Sequence, residues 1–413
     1  MRASGQPDGD VTALEEPDGG SPRISPALGV AAMLLLALNL RLGISSIGPV
    51  LPQVLHDLSA SVVFGSLLTT APVIMMGIAS PFSGRIAERF GVEWTVIGAL
   101  TVVSVATLMR LWAVNAFLLL LSALVLGAGI AAGNTMLPAI VRRYFPNHLA
   151  LMTGLYTVGI NIGAAGAALI TPRLAQGAGP TWRGALAVWA AAGVLAGLAW
   201  LLIVGKTRTQ QRRDPAGMSR RSANAWLVAL FFGLQSMVYY GVLAWLAPLY
   251  EDRGWSKPQA GLLLALFTAS QIVGSMTASV AVERTGRLVA GLRITALATA
   301  LGLFLVALTP MSAPWLWATV LGVGAGGIFT LALTVPLAVT ATVDEARRLT
   351  ATTLCYGYLL AATGPFVVSV LRSLSGSFTL AFGFLAVVSC SALGVARSAV
   401  ARQEPTRAGP ARV

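Results

Sequence analysis

Apolar runs recur along the whole chain, at residues 27–52, 62–84, 93–112, 116–140, 149–172, 182–204, 225–249, 258–281, 289–309, 314–340, 349–372 and 377–397, twelve in all. Each is close to the roughly 20 residues that a helix rising about 1.5 Å per residue needs to cross a bilayer. The alternating pattern of a membrane β-barrel is absent from the sequence, so all twelve are read as helices. The longest internal polar stretch, Gly205–Asn224, carries six Lys or Arg and divides the helices six and six. The expected fold is all-α and integral to a membrane, with twelve transmembrane helices in two six-helix bundles. The N-terminal bundle is placed at 25–204, a cytoplasmic linker at 205–224 and the C-terminal bundle at 225–397. Residues 1–24, rich in Gly, Pro, Asp and Glu, are read as a disordered cytoplasmic tail. Residues 398–413 are read as a basic cytoplasmic tail. No signal-peptide pattern precedes the first run, so no cleaved leader is expected.

Composition agrees with this pattern. The chain is 56% hydrophobic and 10% charged, against about 25% charged in a soluble domain. The net charge of +13 could suggest nucleic acid, but its placement argues otherwise. With the N-terminus in the cytoplasm, 21 of the 28 Lys and Arg fall in cytoplasmic segments and five in outer ones. That bias is the positive-inside signal of a multi-pass protein with both termini cytoplasmic. It accounts for the basic charge with a lipid bilayer as partner and no nucleic acid. The expected location is the cytoplasmic membrane, and the expected state is a monomer.

The two halves echo each other at an offset of 195 residues. Glu88-Arg89-Phe90-Gly91 matches Glu283-Arg284-Thr285-Gly286, and Gly127 and Gly129 match Gly322 and Gly324. Pro52 and Pro248 correspond at an offset of 196. Six helices per half preserve orientation, so the repeat is parallel, and such repeats place a substrate site between the halves near the midplane. The Gly-x-x-x-Gly pairs Gly129/Gly133, Gly159/Gly163 and Gly322/Gly326 predict close helix packing.

Gly84-Arg85-Ile86-Ala87-Glu88-Arg89-Phe90-Gly91 resembles the signature between helices 2 and 3 of the major facilitator superfamily. The resemblance implies that Gly84, Glu88, Arg89 and Gly91, with the repeated Glu283 and Arg284, act in gating at the cytoplasmic face. Glu88 stands where that family usually has Asp. More narrowly, the chain is similar to the cyanate and 2-nitroimidazole transporter family. The resemblance is carried by Asn39-Leu40-Arg41, Gly48-Pro49, Leu51-Pro52, Met109-Arg110, Pro138 with Arg142-Arg143, Trp245-Leu246 with Tyr250, the run Leu321–Phe329, and Leu371–Gly376. Leu42 follows Arg41 where the family has Pro, and Pro248 sits one place later than the family's Trp-Leu-Pro. Both adjoin the expected cavity, so the substrate can differ from cyanate or a nitroimidazole.

Arg41 carries the sharpest chemistry. About ten residues of its helix lie to either side, so it falls near mid-membrane, where an Arg costs about 2.5–3.5 kcal/mol. All fifteen acidic residues fall in tails, loops or helix ends, so no acid shares its depth. A small anion would relieve the unpaired cation, and a planar one could take two hydrogen bonds from its fork. The bland alternative ties Arg41 to helix carbonyls or side-chain amides. Arg41, Ser45 and Gly48 share a helical face by spacing, with Gly48-Pro49 expected to loosen the helix. The corresponding part of the seventh helix offers Gln235, Ser236, Tyr239 and Tyr240 as neutral donors and acceptors. Asn39, Asn134, Asn161, Gln271 and Tyr356 are further candidates, each able instead to bridge helices. Arg110, near the outer end of the third helix, can attract anions at the entrance or snorkel.

No nucleophile–base constellation points to an enzyme, and no metal or cofactor motif is present in the sequence. His56 and His148 map to opposite faces and read as ordinary loop residues. Cys355 and Cys390 read as small packing residues. Helix 5 lacks the Gly-Pro pair typical of drug antiporters, which argues against efflux. The expected function is a secondary transporter of a small anion or small planar polar solute, working by alternating access in the direction of uptake, with a proton as candidate co-substrate. The rivals are a drug or metabolite exporter of the same fold and a membrane sensor.

Overall fold

The computed structural model describes residues 25–176, 181–204, 222–340 and 342–401. The expected N-terminal tail, most of the linker and the end of the C-terminal tail lie outside the described residues. Twelve helices are long and apolar enough to cross a membrane: α1 Pro26–Asp57, α2 Phe64–Phe90, α3 Val92–Trp112, α4 Ala116–Tyr144, α5 Leu149–Gln176, α6 Trp182–Val204, α7 Ala225–Glu251, α8 Lys257–Thr285, α9 Leu288–Leu308, α10 Pro314–Ala338, α11 Val343–Ser375 and α12 Phe378–Val395. This is the all-α membrane fold expected. Several helices outrun their apolar cores at the end rich in Arg, as α2 does to Phe90 and α4 to Tyr144. Such turns reach the interface, where charged side chains keep their water.

Side chains in the short connections start and stop the helices. Ser25, Ser61, Asn115 and Thr342 each accept a backbone N–H of the first turn that follows. Gly91 ends α2 and Gly286 ends α8, both at positive φ, 88° and 67°. They stand 195 residues apart and share a positive φ, but their ψ values, 165° and 4°, differ, so the repeat keeps the glycine without keeping one backbone conformation.

Within the N-terminal half, α2 packs on α4, α1 on α5 and α3 on α4; in the C-terminal half α8 packs on α10, α11 on α7 and α9 on α10. The repeated glycines mark close approaches at these crossings. A Cβ on Gly127 would strike the Pro72 backbone, and one on Gly322 the Phe267 carbonyl. Pro72 and Phe267 also stand 195 residues apart. Gly129 meets Val103 and Gly324 meets Ala298, again at that offset. Small residues let backbones approach where lipid supplies no hydrophobic drive between helices. Gly127→Val and Gly322→Val are each expected to destabilise by about 1–3 kcal/mol through overpacking. Gly261→Val, with nothing within 4 Å of the added carbon, serves as control. Thermal unfolding in detergent checks both; equal midpoints for all three would contradict it.

The halves meet through α2 on α11, α5 on α8 and α4 on α11. The first two pairs exchange under the repeat. Their close approaches run from Gly84 beside Arg347 to Gly77 beside Cys355 and Leu359, and at Gly154 beside Ser279. Cys390, expected to pack, is exposed on α12.

Candidate functional site

The first helix is built in two pieces. Its first segment ends at Ser45 and the second begins at Ile47. The expected loosening at Gly48-Pro49 thus lies earlier, at Ser46, and Gly48 is beyond the break and exposed. The simple spacing that put Arg41, Ser45 and Gly48 on one face assumed an unbroken helix. The carbonyl of Gly43 is satisfied at the break by the Ser46 hydroxyl at 3.2 Å and by Arg110 Nη1 at 2.9 Å.

Arg110 therefore corrects its expectation. It is 0% exposed, neither snorkelling nor standing at an entrance. Its Nε and Nη2 are buried without a hydrogen-bond partner. Its backbone lies in a short 3₁₀ turn, Met109–Trp112, that ends α3. That turn swings the side chain inward rather than along the membrane surface. Replacing Arg110 removes an under-satisfied cation, while the Gly43 carbonyl keeps the Ser46 hydroxyl. Arg110→Met should therefore leave the melting temperature near wild type, yet lower transport by loosening the break beside Arg41. Transport at the wild-type rate would show that the break does not depend on this clamp.

Arg41 sits two residues before that carbonyl, half-buried, in the N-terminal half. Among the described residues it makes no ion pair. Its guanidinium carbon lies 6.0 Å from the centre of the Tyr240 ring, a cation–π contact across the two halves. Tyr239 and Tyr358 complete its electrostatic surroundings. Asn134 of α4 reaches the Tyr358 hydroxyl at 3.5 Å, also between halves. Arg41, Tyr239, Tyr240 and Asn134 are thus brought together as expected candidates, and Tyr358 joins them unforeseen.

Other candidates stand elsewhere. Asn39 is buried with its amide nitrogen donating to the carbonyls of Leu35 and Ala192, at 2.8 and 3.2 Å, so it bridges α1 and α6. Tyr356 is 49% exposed and packs edge-on against Trp226. Two residues on, Tyr358 is 2% exposed, because a helix turns by about 200° over that step. Gln235 donates to the Ser236 hydroxyl at 2.7 Å. It lines a small cavity inside the C-terminal half with Tyr239, Thr299 and Ser389. Asn161 is buried between Gly159 and Gly163, which pack on α1. Gln271 is buried on α8 with its amide nitrogen unpartnered. Ser45 is half-buried at the last position before the break.

At the Arg-rich end the halves are tied by charge. Glu88 accepts from Arg347 at 3.2 Å and from Arg348 at 3.1 Å, both on α11. Arg347 is 1% exposed and also donates to Asp344 and to the Gly84 carbonyl. In the repeat-related place, Glu283 accepts the backbone N–H groups of Ala150 and Leu151, each at 3.1 Å, and faces His148 Nδ1 at 3.0 Å. The first turn of α5 offers a positive dipole end to that carboxylate. His148 is therefore part of the contact between halves, not an ordinary loop residue. Arg142 adds a hydrogen bond to the Thr340 carbonyl. Arg89 and Arg284 are exposed, and Arg89 lies over its neighbour Phe90. At the opposite end, the ion pairs Asp57–Arg183 and Asp252–Arg372 each stay within one half.

Two six-helix halves, meeting around Arg41 and tied by charge at one end, have the architecture of a polytopic membrane transporter. The family model of the Major Facilitator Superfamily matches residues 33–365. The cyanate transport protein CynX of Escherichia coli (strain K12) is 31% identical over 362 residues, covering 86% of this chain and 92% of that protein. The 2-nitroimidazole transporter of the same organism is 29% identical over 369 residues, covering 87% and 92%. Among solved structures, the transporter FucP of E. coli in the outward conformation superposes with a TM-score of 0.73 at 14% identity, covering 90% of this chain and 98% of that one. The chain belongs to the Major Facilitator Superfamily, in its cyanate and 2-nitroimidazole transporter family.

Proposed function

We propose that this protein is a secondary active transporter that takes up a small anion or small planar polar solute across the cytoplasmic membrane by alternating access. The observation that carries the reading is Arg41. One half contributes the cation, the other contributes the tyrosines around it, and no acid among the described residues neutralises it. A buried cation without a counter-charge is unfavourable, and an anionic substrate supplies what is missing. The names of the cyanate and 2-nitroimidazole relatives support a small, flat solute.

The Arg-rich end is assigned to the cytoplasm by the positive-inside bias, with both termini there. The latch formed by Glu88 with Arg347 and by Glu283 with the start of α5 then closes the inner face. Gly84 lets α11 approach closely enough for the contact. The protein works as a monomer, and a proton is the candidate co-substrate. Counterflow in proteoliposomes with small anions and nitroheterocycles, with and without a pH gradient, tests both substrate and coupling. Counterflow confined to bulky apolar drugs would favour an exporter instead.

A further inference from the structure

An arc of aromatic rings lines the centre opposite Arg41. Tyr240 meets Tyr239 edge-on at 5.1 Å, and Tyr239 stacks on Phe329 at 6.1 Å with the planes 25° apart. Phe329 meets Phe232 at 6.1 Å, and Phe232 meets Tyr358 edge-on at 5.6 Å. One end of the arc, Tyr240, lies 6.0 Å from the Arg41 guanidinium, and the other end, Tyr358, accepts a hydrogen bond from Asn134 of the N-terminal half. All five rings come from the C-terminal half and the cation comes from the other. Tyr239, Tyr240 and Phe329 are half-buried, Tyr239 lines a small cavity, and Phe232 is buried.

This lining discriminates between anions. The face of an aromatic ring carries partial negative charge and its edge partial positive charge. A compact triatomic anion entering the arc would lose its hydration and meet π faces that repel it, with Arg41 alone in compensation. A flat aromatic solute places its own edge or face against the arc at favourable geometry. A carboxylate on that ring takes two parallel hydrogen bonds from the guanidinium fork. One cation asks for one negative charge. The tyrosine hydroxyls and Asn134 can receive a polar substituent or ring nitrogen.

We infer that the substrate is a single-ring aromatic monocarboxylate, held with its carboxylate on Arg41 of one half and its ring against the Tyr239–Phe329 stack of the other. The inference rests on the reading that Arg41 faces substrate. It also gives the charged head and the ring separate roles: each half grips a different part of one molecule, so occupancy draws the halves together.

The test uses the full-length protein in proteoliposomes, with benzoate, cyclohexanecarboxylate, cyanate and 2-nitroimidazole as competing probes of binding and uptake. Cyclohexanecarboxylate has the charge and approximate size of benzoate without a π system. Benzoate is expected to bind roughly tenfold or more tightly than cyclohexanecarboxylate and than cyanate. Phe329→Leu should weaken benzoate by about tenfold without weakening cyanate, whose repulsion by the π faces it relieves. Equal binding of benzoate and cyclohexanecarboxylate, tighter binding of cyanate or 2-nitroimidazole, or no binding of benzoate overturns the inference. The wild-type series decides this even where Phe329→Leu fails to fold. Arg41→Gln separates the two levels. If it abolishes binding of whichever anion prevails, the Arg41 reading stands without the aromatic class. If anion binding survives it, the Arg41 reading itself fails.

Discussion

Arg41→Gln is expected to lower uptake at least about a hundredfold while the protein still reaches the membrane. Removing one member of a buried, hydrogen-bonded charge pair costs about 3–5 kcal/mol, and each 1.4 kcal/mol is about tenfold in affinity. Without substrate, the side chain makes no ion pair among the described residues, so its loss unpairs nothing in the folded protein. Its contact with the Tyr240 ring is long, 6.0 Å, and costs little to lose. Expression and melting temperature should therefore change far less than transport. Arg41→Lys should also lose most activity, because a point charge does not replace the planar fork. Uptake rates paired with surface quantification make the measurement. Undiminished transport by Arg41→Gln would remove the central claim about this site.

The second large effect concerns the latch. Arg347→Met should shift the protein toward the state open at the Arg-rich end. Arg347 is buried and holds together Glu88, Asp344 and the Gly84 carbonyl. Both carboxylates keep access to water, so the full buried-pair cost does not apply, and about 1–3 kcal/mol is the reasonable range. That corresponds to a shift of roughly five- to 150-fold in the balance of states. A single cysteine beside Arg41, labelled by a reagent supplied from the Arg-rich side, reports it. Glu88→Gln should shift the balance the same way by less, since it leaves the Arg347 contact with Gly84 intact. Unchanged labelling in both variants would mean that these contacts do not govern access.

Much of this architecture was legible in the residues. Twelve apolar runs became twelve spanning helices because the bilayer imposes one length and forces internal hydrogen bonding. The 195-residue echo was visible in a few glycines and acids, and it reappears in their packing partners Pro72 and Phe267. Arg41 stood out because charge is so costly at that depth. The finer geometry was harder to read. Helix phase decides whether Tyr356 or Tyr358 turns inward, and the spacing of residues alone does not say which face of a spanning helix meets lipid and which meets the other half. At the break by Ser46, Arg110 reaches the Gly43 carbonyl from 67 residues away, a contact that no local pattern records. Asn39 looked like a cavity residue until Ala192 of α6 was placed beside it. His148 looked like loop polarity, and only docking of the halves sets it against Glu283.

The two latches invite different histories. The one at Glu88 is a conversation between side chains, and a mutation on either helix can silence it. The one at Glu283 speaks to the amides of Ala150 and Leu151, which every residue except proline carries. Sequence drift at positions 150 and 151 can change size and polarity without withdrawing the donors. The side chains this latch depends on are Glu283 and the His148 ring that faces it, so exchange at position 151 leaves it standing where exchange of Arg347 breaks the other.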